Sequence, residues 1–130
     1  MATFQQGTGI PELKVTPDRF LPIRYAGASG DFNPIHTDKE YATMVGLPST
    51  ILHGLWSMAQ VARAVTDAAG GPENIESLEV QFRGMGFPEQ EITVSGTVRE
   101  VSEGVATLDV VAEQNDNEII RNAVATVKSA

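Results

Sequence analysis

The sequence predicts an α+β domain in which one long helix is wrapped by an antiparallel β-sheet. Two observations carry that expectation. Residues 54–69 repeat apolar side chains at spacings of three and four, the period of a helix with one buried face. Beyond Pro72 the apolar period drops to two, and the joins at 102–104 and 115–117 carry the Gly, Asn and Asp of hairpin turns. A helix with one apolar stripe and strands with one apolar face bury both most simply against each other. The 130 residues amount to a single domain (1–130), long enough to enclose a core without metal or disulfide help.

Taken in order, residues 1–10 lack the basic start and apolar run of a signal peptide and read as a poorly ordered N-terminal arm. Ile10-Pro11 opens a short extended segment at 12–15. Thr16-Pro17-Asp18 has the makings of a helix start: a hydroxyl for orphan N–H groups, a proline for the first position and an acid for the positive end. That helix is expected to run through Tyr25 and stop near Gly27 or Gly30, disturbed by Pro22. Residues 30–36 fit neither period and read as an irregular loop. A second short helix covers 39–45, closed by Gly46-Leu47-Pro48. In the long helix the stripe is read as Leu55, Met58, Ala59, Ala62, Val65 and Ala69, with Gln60, Arg63 and Asp67 off it and Gly70-Gly71-Pro72 as the stop. Its many alanines suggest a close approach to something flat, such as a sheet. Four strands follow, around 78–82, 92–98, 106–112 and 119–127, after one weak strand before the helix.

Composition narrows the function classes. A hydrophobic fraction of 42% and a charged fraction of 20% exclude wholesale disorder. Nine Lys plus Arg against seventeen Asp plus Glu give a net charge of -8, which repels nucleic acid and acidic lipid. The absence of cysteine excludes disulfides, thiolate metal sites and a cysteine nucleophile together. No apolar run reaches the roughly 20 residues of a membrane helix. The expectation is a soluble, cytoplasmic, acidic domain.

Two histidines narrow the chemistry further. His36 follows Asp31 by five positions in a loop rich in Gly, Asn and Pro. A carboxylate and an imidazole brought together by a tight turn can hold one water and exchange protons with it, which suits reversible addition of water to a polarised double bond. His53-Gly54 opens the long helix, where N–H groups lack partners and a glycine lets a ligand oxygen approach the backbone. Such an N–H can stabilise the charge that develops on a thioester carbonyl. Each pair also has a plain structural reading, and spacing alone favours it: Asp31 and Asn33 shape a turn, His36 packs locally, Gly54 permits close packing and His53 satisfies a helix end. Two histidines without a second at helical spacing do not make a metal site. The serines at 29, 49 and 57 lack a nucleophile elbow. Gly70-Gly71-Pro72 is a helix stop and no phosphate loop.

Together, residues 25–38 (YAGASGDFNPIHTD) resemble the hydratase-2 motif of the MaoC-like family, R-specific enoyl-thioester hydratases and 3-hydroxyacyl-thioester dehydratases of the hotdog fold. Ile51-Leu52-His53-Gly54-Leu55 resembles that family's second landmark, and the likeness runs from about Thr16 to Val127. It implies that Asp31 and His36 hold the catalytic water as an acid–base pair and that Gly54 N–H faces the thioester carbonyl. It further implies that Asn33 helps hold the loop and orients the pair or contacts the ligand, and that His53 contacts the ligand. The substrate would be an acyl-CoA or acyl-carrier-protein thioester, with no cofactor and no metal. The active unit would be a homodimer, or a heterodimer with a second hotdog subunit. Two departures stand out: Pro88-Glu89-Gln90-Glu91 replaces the family's frequent Pro-Gly-Asp, and Ala59 and Ala62 stand near where some relatives carry a hydroxyl. At charge -8, either thioester carrier needs a local basic patch, and none of Arg63, Arg83 and Lys39 stands out as one. A non-catalytic or partner-dependent hotdog subunit is the alternative from another class. A hotdog thioesterase is a third, though the helix offers it only Asp67.

Overall fold

The computed structural model describes residues 1–130. Its strands are β1 (Leu13–Val15), β2 (Ile75–Phe82), β3 (Ile92–Ser102), β4 (Val105–Gln114) and β5 (Asn117–Lys128). They form one antiparallel sheet in the order β1-β3-β4-β5-β2, so β2 ends the sheet with a free edge. Both central hairpins turn through two left-handed residues, Glu103-Gly104 (φ 52° and 78°) and Asn115-Asp116 (φ 50° and 60°). That geometry matches the twist of the flanking strands and is why Asn, Asp and Gly stand there. Period-two alternation then turns Ala106, Leu108, Val110 and Ala112 of β4 to one side, where all four are buried.

Helix α4 (Gly54–Ala69) lies on this face and is buried through Ser57, Gln60, Val61, Ala64, Val65 and Ala69. The stripe read from sequence is therefore displaced. Leu55 is 63% exposed, Ala59 is exposed and Ala62 is only half-buried, whereas Gln60 is buried, with its side-chain amide donating to the Trp56 carbonyl at 3.3 Å. The helix is apolar around most of its circumference, so spacing alone fits two overlapping stripes. The sheet takes the flatter one, built of Ala and Val. Burying Val61 and Val65 completely contributes about 1.5–3 kcal/mol each.

Before α4 the chain makes three shorter helices. The first, α1 (Leu21–Ser29), begins three residues beyond Asp18, so the expected start at Thr16-Pro17-Asp18 is corrected. Asp18 still organises it. Its carboxylate accepts from Phe20 N–H at 2.8 Å and from the Arg24 guanidinium at 3.0 Å, and the Arg24 hydrogen bond holds the carboxyl below its ordinary range. Pro22 does not disturb the helix, because it sits in the first turn, where a missing N–H leaves nothing unpaired. Gly30 (φ 80°) ends it, donating to the Ala26 carbonyl. The segment expected as irregular holds a one-turn helix, α2 (Pro34–Thr37), whose Asn33 cap accepts from Ile35 N–H at 3.2 Å with Pro34 in first position. Asp38 caps α3 (Lys39–Met44).

The N-terminal arm is not loose. Gly7 N–H donates to the Val98 carbonyl at 2.9 Å and Ile10 N–H to the Gly96 carbonyl at 3.0 Å. Ile10 is buried against Gly96, where a Cβ would lie 3.0 Å from Ile10 Cδ1, so the missing side chain opens the slot that holds the arm. No helix is long and apolar enough to cross a membrane.

Between β2 and β3 the chain is held by the buried Gln114, which accepts from Phe87 N–H at 2.7 Å and donates to the Phe87 and Gln90 carbonyls. Within this loop Glu89 adopts φ 69°, a left-handed position directly after a proline where glycine is unstrained. The sequence departure at Pro88-Glu89 thus sets a side chain at a left-handed position. Glu89→Gly should raise stability by about 1 kcal/mol, read as a higher urea midpoint at unchanged m-value. A lowered midpoint would show that the left-handed backbone carries no strain.

Candidate active site

Gly30, Asn33-Pro34 and the Asp38 cap fold residues 30–38 into a bend that sets Asp31 and His36 on one side. His36 is buried, and its Nδ1 lies 2.8 Å from the Ile51 carbonyl oxygen. A carbonyl only accepts, so Nδ1 carries the proton and the neutral ring keeps its lone pair on Nε2. That Nε2 faces Asp31 Oδ2 at 3.8 Å, too long for a direct hydrogen bond and within the span of one bridging water. The Asp31 carboxylate is open, its side chain 55% exposed, and Oδ1 accepts from Asn33 N–H.

His53 is the mirror case. It is 4% exposed, and its Nε2 donates to the Asp31 backbone carbonyl at 3.0 Å, leaving Nδ1 unprotonated and without a partner. Its ring stacks on His36 with centroids 3.8 Å apart and planes 17° apart, and Tyr25 packs against it at 4.8 Å. His53 thus touches both members of the pair from beneath and reaches neither of the cavities described below. Expected as a ligand contact, it makes its own contacts with Asp31, His36 and Tyr25. Asn33 likewise spends its side-chain oxygen on Ile35 N–H, as a cap.

Donor atoms of Asp31, His36 and His53 lie within 4.8 Å of one another, which raises a metal ion. The stacking argues against it. A histidine lone pair lies in its ring plane and binds zinc at about 2.0–2.1 Å, and two nearly parallel rings 3.8 Å apart do not converge on one point at that range.

Two cavities meet at His36. One, of 190 Å³, is lined by His36, Gly54 and Ser57 together with apolar Leu52, Phe82 and Ile119. The other, of 340 Å³, is lined by His36 with Thr50, Ser49, Lys39 and Arg19. Asp31 lies beside His36 and outside both linings. Gly54 opens α4, and its N–H donates to no backbone carbonyl. A Cβ there would meet the Phe82 ring at 3.1 Å, so the glycine also lets Phe82 close over the helix end. Ser57 is the residue that sequence reasoning passed over. It is buried on the same cavity one turn after Gly54, and its hydroxyl makes no hydrogen bond within the chain. Helical side chains lean toward the N-terminus, which turns this hydroxyl back toward Gly54. The signal available was a serine on a helix face built of Ala and Val apart from Gln60.

The family model of the MaoC-like domain matches residues 3–120. The chain belongs to the MaoC-like family. Within it, this domain is 32% identical over 123 residues to the enoyl-CoA hydratase ChsH3 of Mycobacterium tuberculosis, covering 90% of the chain and 41% of that protein. It is 35% identical over 102 residues to a fatty acid synthase subunit beta of Aspergillus oryzae, covering 75% of the chain and 5% of that protein. The MaoC-like domain therefore spans less than half the length of either curated relative. Among solved structures, the ChsH1–ChsH2 complex of Mycobacterium tuberculosis superposes with a TM-score of 0.84 at 28% identity, over 97% of this chain and 98% of that one. The fold is a hotdog, and the family is one of hydratases, which are hydro-lyases.

The hydrogen bonds require opposite tautomers for the two stacked histidines of this MaoC-like domain. Nitrogen-15 NMR at neutral pH should find neutral His36 protonated on Nδ1 and His53 on Nε2. The same tautomer on both rings would contradict the bonds to Ile51 and Asp31.

Proposed function

We propose that this MaoC-like domain interconverts trans-2-enoyl and (R)-3-hydroxyacyl thioesters by adding or removing water. One observation carries the reading: His36, locked through Nδ1 onto Ile51, presents Nε2 to the Asp31 carboxylate across a gap of one water, beside the free N–H of Gly54. In hydration, water held by Asp31 and His36 adds its oxygen to C3 while His36 Nε2 takes one of its protons. The electron pair of the double bond moves to the thioester oxygen, where the Gly54 N–H stabilises the enolate charge and the Ser57 hydroxyl supplies a second donor. The enolate then takes the proton from His36 at C2, the thioester carbonyl re-forms and the imidazole returns neutral. Proton and hydroxyl arrive from one face, so addition is syn. Asp31 orients the water and stabilises the transient imidazolium. His53 keeps the pair in register by bonding Asp31 and stacking on His36.

Features beside the site favour work with a second hotdog subunit. The β2 edge is unpaired, and Phe82 and Met85, which line the Gly54 cavity, are about half exposed in the single chain. The structural neighbour ChsH1–ChsH2 is a complex of two different chains, which supports a heteromer as readily as a homodimer. Nothing at the site favours a thioesterase, since Asp67, the acid of α4, is exposed and lines neither cavity.

The test is a hydration assay with trans-2-enoyl-CoA substrates of increasing length, run with the chain alone and with candidate partners. Turnover to the (R)-3-hydroxyacyl product is expected. Asp31→Asn and His36→Ala should each lower it by ~10²–10⁴ with the fold intact. Ser57→Ala should lower kcat by about tenfold with little change in KM, the pattern of a donor used mainly in the transition state. Release of free thiol, the (S) product, or near-normal activity in either dyad variant would refute the assignment.

A further inference from the structure

Three rings pack in sequence at the edge of the site: Tyr25 against His53, and His53 against His36. Rings that meet at a steep angle keep their centroids about 4.5–7 Å apart. His53 and His36 are only 3.8 Å apart, a distance that admits the near-parallel arrangement they have, with 17° between their planes. His53 can therefore turn about its side-chain bond only by backing away from His36. Turning would also break the hydrogen bond from its Nε2–H to the Asp31 carbonyl. Tyr25 meets the same imidazole at 4.8 Å and 55°, near the close limit for a tilted pair.

We propose that Tyr25 is a positioning residue for the Asp31–His36 pair and acts through His53, a role that rests on the hydration reading. Its half-buried ring takes up the room into which His53 would retreat. Helix α1 makes that ring a firm stop. Ala26, next to it, is completely buried, and Gly30 N–H closes the helix on the Ala26 carbonyl at 2.8 Å. The chain then runs directly into Asp31, whose own N–H donates to Ser29 Oγ at 3.2 Å. Asp31 is thus tied to α1 twice, along the backbone and through His53 and Tyr25. A water shared across the 3.8 Å between Asp31 Oδ2 and His36 Nε2 tolerates little movement of either group. Misplacement by about 1 Å can cost ~10²-fold in rate. Tyr25 lines neither cavity at His36, so it acts on the pair and not on the substrate. Its contact with His53 is made by the ring, and the hydroxyl has no part in it.

Two measurements on the same variants test this: proton–nitrogen NMR of the histidine rings, and hydration of a trans-2-enoyl-CoA. In wild type the Nε2 proton of His53, buried and bonded to the Asp31 carbonyl, should give a resolved signal that exchanges slowly with solvent. Tyr25→Leu frees the imidazole, so it should lose that signal and lower kcat by about tenfold with KM little changed. Tyr25→Phe keeps the ring and should match wild type in both. Tyr41→Leu removes the other tyrosine, half-buried on α3 and outside both cavities. It should keep the signal and kcat even where it lowers the thermal midpoint. The proposal is overturned if Tyr25→Leu retains the His53 signal, if Tyr25→Phe is impaired as far as Tyr25→Leu, or if Tyr41→Leu loses the signal equally. Loss of the signal in Tyr25→Leu alone, with no turnover of any enoyl-CoA by wild type, would instead overturn the hydration reading and leave the hold of Tyr25 on His53 standing.

Discussion

The site depends on where the Ile51 carbonyl is held. That oxygen orients His36, and the chain around it is tied on both sides: Ile51 N–H donates to the Ile35 carbonyl at 3.1 Å and Leu52 N–H to the Gly86 carbonyl at 2.8 Å. Residues 51–52 are thus a strap between the bend that carries Asp31 and His36 and the loop that follows β2. The next residue, His53, bonds Asp31, and the one after, Gly54, opens α4. Four successive residues fix the imidazole, the carboxylate and the bare amide relative to one another. A shift of the strap would move all three together, which is how a short loop can hold a constellation to the tolerance that proton transfer needs.

The cost of this arrangement is visible at His53 Nδ1, a buried acceptor with no partner. Such a group typically costs about 1–3 kcal/mol. It persists because the ring's other nitrogen and its face are both engaged, one by the Asp31 carbonyl and the other by His36. Flipping the ring to pair Nδ1 would release Asp31. Stability conceded at one atom therefore keeps Asp31 and His36 aligned.

Much of this was legible in the sequence, for identifiable reasons. Period-two alternation and the Asn-Asp and Glu-Gly turns marked the three long strands, because a half-buried antiparallel sheet writes its pattern one residue at a time. Asp31, His36 and Gly54 stood out because they sit at bends and helix ends, where residue type is tied to backbone shape. The face of α4 was not legible, since a helix apolar on two sides carries no period that separates sheet from surroundings. The role of His53 was hidden because its partners, Asp31 and His36, are joined through a carbonyl and a ring face, which leave no mark in residue spacing.

The gap between Asp31 and His36 decides whether the two can share one water. A high-resolution crystal structure of the chain, alone or with its partner subunit, examines it directly. We expect electron density for one water within hydrogen-bond distance of both the Asp31 carboxylate and His36 Nε2, with Nδ1 still on the Ile51 carbonyl. A His36 ring turned so that Nε2 meets a protein carbonyl, or a carboxylate swung out of reach of it, would contradict the account.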